Sequence, residues 1–268
     1  MKRKLLISLF ILAAAAAVFG YQHRIGIKAR IDKLFQKDVP AVTFDELQNT
    51  QHDTPTVNSA TNSVNTNTLV NTQVEKPLPE TFNLAVPFTT QSPYAKWTAQ
   101  DEESCEEAAS LIVHYYWQHK TFTNDIAAQE LQRIVDYENA TLGFYKDTTA
   151  QQTANVIKGL WGYKRVDVKY GITIDDIKRE VAQGRPVIIP TAGRLLGNPN
   201  FKSPGPIYHM LVVRGWTKDM IITNDPGTRK GEQYQYKPDV LYNAIHDWVE
   251  GGDITTGAKA MIVVWPNE

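Results

Sequence analysis

Apolar positions after Ser104 recur at helical spacing. Ala108, Ala109, Ile112, Val113 and Tyr116 share one broad face, which predicts a buried helix beginning near Cys105. Ser104 with Glu107 three residues on has the form of a capping box. Further helices are expected at about 124–136, at 149–159 (Thr148 and Gln151 forming a second box), at 174–183 ending on Gly184, and at 239–248. Strand patterns come later. Val166, Val168 and Tyr170 alternate, and short apolar runs occupy 186–191, 208–216, 219–225 and 258–265. A short turn separates the runs at 208–216 and 219–225, so these should pair antiparallel. Helices followed by a mostly antiparallel sheet define an α+β domain.

The start of the chain follows a different pattern. Met1-Lys2-Arg3-Lys4 precedes an apolar run from Leu5 to about Gly20, the arrangement of a secretory signal or a short signal-anchor. The positive-inside rule then puts Lys2 to Lys4 in the cytoplasm and the remainder outside. From about Asn49 to Glu80 the residues are mostly Asn, Thr, Ser and Gln, too polar to bury a core. The expected organisation is a signal peptide or membrane anchor at 1–22, a polar flexible stalk at 23–81 and a folded domain at 82–268. The net charge is −1, from 28 basic and 29 acidic side chains, and offers no footprint for nucleic acid. No metal-ligand cluster or cofactor fingerprint is visible, so no cofactor is expected.

The single cysteine cannot form an intrachain disulfide. In an exported chain it is a functional thiol, a point of pairing between chains, or a buried inert residue. At the first position of a helix, Cys105 would face unpaired N–H groups and the positive end of the helix dipole, which favour a thiolate. Glu106 and Glu107 oppose this, because nearby negative charge raises a thiol pKa. With Asp101, Glu102 and Glu103 they form an acidic cluster that reads as a solvated face or a preference for basic substrates.

A thiol nucleophile needs a base within hydrogen-bond reach. His114 lies nine residues along the same helix, about 13 Å away, and His246 reads as a packed histidine. His209, heading an apolar strand after Pro204-Gly205-Pro206, is the candidate base. Counting back from a turn near Thr217-Lys218 brings residue 209 opposite about residue 226, so Asp225 becomes the candidate orienting carboxylate. Its alternative reading is turn chemistry in Asp225-Pro226-Gly227. For an oxyanion hole, the Cys105 N–H, Gln91 and Gln100 are candidates. Arg194, in a Gly-containing loop, and Trp97, between Gln91 and Cys105, are candidate substrate contacts.

The segments VPFTTQSP, ESCEEAA, GPIYHMLVVRGW and ITNDPGT together resemble the peptidase-like domains related to the bacteriocin-leader (double-glycine) peptidases. These are family thirty-nine of the cysteine peptidases, in the papain-like clan. The resemblance runs from about Leu84 to Trp265. It implies a papain-like α+β fold with Cys105 as nucleophile, His209 as base and Asp225 as orienter, and it puts the oxyanion glutamine on Gln91 by motif context. Two departures matter. Glu106 stands where the leader peptidases commonly carry glycine, and nothing here resembles their transporter, so the double-glycine substrate does not carry over. The expected function is thiol-dependent hydrolysis of a peptide or amide bond outside the cytoplasm. The alternatives are a peptidoglycan amidase or endopeptidase, and a catalytically silent peptide- or cell-wall-binding module.

Overall fold

A computed structural model describes residues 38–52 and 77–267. The N-terminal span 1–22 and most of the polar stretch lie outside the described residues. Among those described, no helix is long and apolar enough to cross a membrane.

The helices come first. They are α1 (Phe44–His52), α2 (Cys105–Trp117), α3 (Asn124–Thr141), α4 (Ala150–Trp161), α5 (Ile174–Ala182) and α6 (Pro238–Ala244). The strands are β1 (Phe82–Asn83), β2 (Val166–Tyr170), β3 (Val187–Ala192), β4 (Tyr208–Trp216), β5 (Ile221–Asn224), β6 (Tyr234–Tyr236) and β7 (Ala260–Val264). They form one seven-stranded sheet in the order β2-β7-β3-β4-β5-β6, with β1 also on β4. All of its pairings are antiparallel. The protein is therefore α+β, as its pattern predicts. Every residue of β4 is buried, because this strand lies inside the sheet and α2 and α5 both pack on it.

Several boundaries differ from the pattern for identifiable reasons. Ser104 does not cap α2 with its side chain; its hydroxyl donates to Gln100 O instead, at 3.0 Å. The second box sits one residue later than expected, with Thr149 and Gln152 closing it. The α3 helix continues past 136 because Glu138 is still on its buried face. The last helix stops at Ala244, where Ile245 turns extended and bridges Thr191. Within β4, the register with β5 slips between Val213 and Gly215. The turn itself lies later than expected, with Trp216 opposite Ile221, and the bulge takes back one residue of that offset.

Residues 38–52 fall in the span read as a stalk, yet they pack on the domain. Val42 bridges Leu84, and Phe44 meets the Trp117 ring edge-on at 5.1 Å. Beyond them, β1 lies so close to β4 that a Cβ on Gly215 would sit 2.2 Å from Phe82 O. Only glycine fits there.

One buried cation secures this approach. Arg214 points inward, 3% exposed, and donates to Asn83 Oδ1 at 2.9 Å, to Val86 O at 3.0 Å and to Leu84 O. It also reaches Asn224 Oδ1 at 3.2 Å, and Asn224 Nδ2 donates in turn to Pro87 O at 2.9 Å. Burial lowers the guanidinium pKa to about 10, so the cost of desolvation is offset by neutral oxygens rather than by a carboxylate. The result is a clamp on residues 83–87, the approach to Gln91. Replacing Arg214 with Met strands these carbonyls. We expect a loss of about 3 kcal/mol in urea unfolding; an unchanged midpoint would remove the clamp from this account.

Candidate active site

His209 is the second residue of β4 and is fully enclosed. It sits opposite Thr191 of β3, whose hydroxyl donates to the His209 carbonyl at 2.8 Å. The ring packs edge-on against Phe201, with centroids 5.3 Å apart. A Cβ on Gly227 would come within 2.9 Å of His209 Cε1, so that glycine leaves the ring its space.

His209 Nε2 lies 2.8 Å from Asp225 Oδ1. The carboxylate also accepts from Gly227 N at 3.0 Å, Asn198 Nδ2 at 3.1 Å and the Tyr236 hydroxyl. Burial by itself would push the Asp225 carboxyl up. The His209 ring, Tyr236 and the Gly227 N–H outweigh it and hold the group below the usual carboxylate range. Because a carboxylate can only accept, Nε2 carries the ring proton and Nδ1 is the acceptor of the neutral imidazole.

Cys105 opens α2 as expected, and it is buried. The Met210 N–H of β4, one residue from His209, is near enough to the thiol to lower its pKa. The expected thiolate is not what the surroundings favour. Burial first, and then Glu106, push the thiol pKa well above its ordinary value. Sγ donates to Glu106 Oε2 at 2.9 Å.

The acidic cluster is not a single solvated face. Glu102 is exposed, but Glu106 and Glu107 are 2% and 0% exposed. They lie beneath the thiol with Glu138 of α3. Burial pushes Glu106 and Glu138 each up to about 8, and Glu107 rises well above its ordinary value for the same reason, reinforced by Glu138. Both carboxyl oxygens of Glu107, and Glu138 Oε2, are buried without a hydrogen-bond partner, which makes ionising the pair costly and favours the protonated forms. Among the described residues, no group of His, Cys, Asp or Glu is arranged to hold a metal ion.

The two glutamine candidates separate clearly. Gln91 is buried; its Nε2 donates to Asp101 O at 2.7 Å in the turn before Cys105, and its backbone N donates to Pro226 O at 3.0 Å beside Asp225. Gln100 turns instead to Gln132 on α3, at 3.0 Å. Arg194 is exposed and ties its loop to Gly205 O at 3.3 Å. Trp97 is 40% exposed. Neither of the last two lines the cleft of roughly 370 Å³ walled by Phe88, Tyr94, Phe122 and Arg229, and neither do Gln91, Cys105, His209 or Asp225. His114 stacks on Trp161 at 4.2 Å, and His246 Nδ1 lies 2.8 Å from Gly257 O; both have structural partners. Asn198, Tyr236 and Glu138 carry no local motif, so the sequence gives no reason to single them out.

The sequence matches the family model for the Peptidase C39-like family over residues 83–253, a stretch that holds Gln91, Cys105, His209 and Asp225. The chain belongs to the Peptidase C39-like family. Among solved structures, a protein described as a C39-like peptidase from Bacillus anthracis is similar at 16% identity and a TM-score of 0.45, covering 69% of this chain and 96% of that one. No curated protein matches the chain. Membership fits the helix-first architecture, and it leaves the carboxyl trio as a feature of this C39-like chain to be explained on its own.

That trio carries a pH signature. In the unfolded chain a glutamate titrates near 4.3; folded, Glu106 and Glu138 titrate near 8. The folded state therefore binds more protons between these values. Its stability contribution is intact below about pH 4.3 and is lost as pH rises through 8. Melting temperature should fall between about pH 5 and 9. The Glu138→Gln variant should melt higher than wild type at the upper end and show a flatter profile. A profile identical to wild type would argue against protonated carboxyls here.

Proposed function

We propose that this chain is a cysteine peptidase of Cys-His-Asp type that cleaves a peptide or amide bond outside the cytoplasm. One observation carries the reading. A buried histidine with its Nε2 committed to Asp225 stands next in sequence to Met210, whose backbone N–H acts on the single thiol of the chain.

In this scheme the thiol is protonated at rest. His209 Nδ1 takes the Sγ proton as Sγ attacks the scissile carbonyl, and the imidazolium then gives that proton to the leaving amine. Asp225 fixes the tautomer and stabilises the imidazolium. The Cys105 N–H and the second N–H of the Gln91 amide, whose first is committed to Asp101, would meet the developing oxyanion. The basic start and the apolar run from Leu5 support export, which suits a peptide or cell-wall substrate.

A catalytically silent binding module is the second reading. It is favoured by the buried thiol whose pKa is raised rather than lowered. Iodoacetamide labelling over a pH series, on wild type and His209→Ala, separates the two. A working base should make wild type alkylate at least about tenfold faster at neutral pH, one pKa unit of difference. Matching profiles would sink the catalytic reading. Digestion of a peptide library and of muropeptides, with Cys105→Ala as the blank, then tests the bond; we expect cleavage to fall by about 10³-fold or more in the blank.

A further inference from the structure

The Cys-His-Asp scheme leaves Glu106 without a role, yet this side chain is the hydrogen-bond acceptor of the thiol, at 2.9 Å. Its position is fixed from behind, because Oε1 accepts from Thr148 N at 3.0 Å. The Thr148 carbonyl accepts in turn from the Tyr208 hydroxyl at 2.9 Å, and Tyr208 directly precedes His209 on β4. Glu106 is thus held between the thiol and the strand that carries the candidate base. It is 2% exposed, so water does not screen it.

We propose that Glu106 is a positioning residue that holds the Cys105 thiol protonated and fixed in direction until the base takes its proton. The inference rests on the reading of Cys105 and His209 given above. Above about pH 8, where Glu106 is ionised, making a thiolate beside it puts two negative charges in contact in a dry site. The S–H bond therefore breaks only when the proton is accepted in the same step, by His209 Nδ1, or when Glu106 has itself taken up a proton and can donate O–H to the sulfur. Other groups face this pair. Glu107 on α2, Glu138 on α3, Asp147 before α4 and Tyr208 on β4 bear on it. Asp147 adds negative charge and raises Glu106 further. The surroundings of the thiol are thus mainly acidic, and on the reading above His209 accepts its proton.

Because the chain has one cysteine, the S–H stretching band in the Raman spectrum reports Cys105 alone. In wild type at neutral pH the band should lie at the lowered frequency of a strongly hydrogen-bonded thiol. The band of an unbonded thiol overturns the proposal, and this measurement needs no variant to fold. Glu106→Gln keeps the shape and removes the charge. It should lower the apparent pKa of alkylation and speed labelling by iodoacetamide about tenfold at about pH 9, above the Glu106 value of about 8. A profile that is unchanged, or moved upward, overturns the proposal. His209→Ala distinguishes this from failure of the parent reading. Should Glu106→Gln shift the profile while His209→Ala does not, the base assignment falls and the hold on the thiol stands. The opposite result leaves the base in place and removes Glu106 from the site.

Discussion

The site depends on burying one carboxylate. Asp225 is wholly enclosed and still ionised, a state that is costly unless nearly every lone pair finds a donor. Four donors meet it, and each comes from a different part of the fold. His209 is on β4, Tyr236 on β6, Asn198 in the loop after β3, and the Gly227 N–H in the turn the aspartate itself begins. The imidazole is therefore oriented by a group that the rest of the domain holds still. The same need explains why Gly227 is a glycine: a side chain there would displace the ring that the carboxylate orients.

Two opposing effects act on Cys105, and their sizes decide its state. A helix N-terminus stabilises an adjacent anion by at most about 2 kcal/mol. Full burial can move a titrating group by several pKa units, each worth about 1.4 kcal/mol, and a neighbouring carboxylate adds to the shift. Burial wins, and the sulfur rests as a thiol. That favours chemistry in which deprotonation and attack are concerted over chemistry that begins from a standing thiolate.

The sequence was informative where its pattern reflects local physics. The helical face after Cys105, the buried run of β4 and the short turn to β5 follow from periodicity. With them came the adjacency of His209 and Asp225, displaced by a turn that lies later than expected and partly restored by the bulge in β4. Where long-range packing overrides local preference, the reading failed. Ser104 and Glu107 match a capping box, but Glu107 is 0% exposed and faces the interior near Glu138, which is far away in sequence. The acidic run looked solvated because nothing local marks Glu106 and Glu107 as buried. Arg214 passed as an ordinary strand residue, since its partners are carbonyls whose positions only the folded chain defines. Residues 38–52 were hidden by the polar stretch that follows them.

That last segment changes what the polar stretch can do. Val42 N donates to Asn83 O and Ala85 N to Val42 O, at 2.9 and 2.7 Å. The described segments on either side of residues 53–76 thus meet at one seam. A segment with both ends stitched together is a closed excursion, and lengthening it costs only loop entropy, which grows slowly with length. It contributes no span between the domain and anything attached to the N-terminus. The reach of this domain from such an attachment is set by the residues before Asp38 alone, so deletions within 53–76 would leave that distance unchanged while deletions before Asp38 would shorten it.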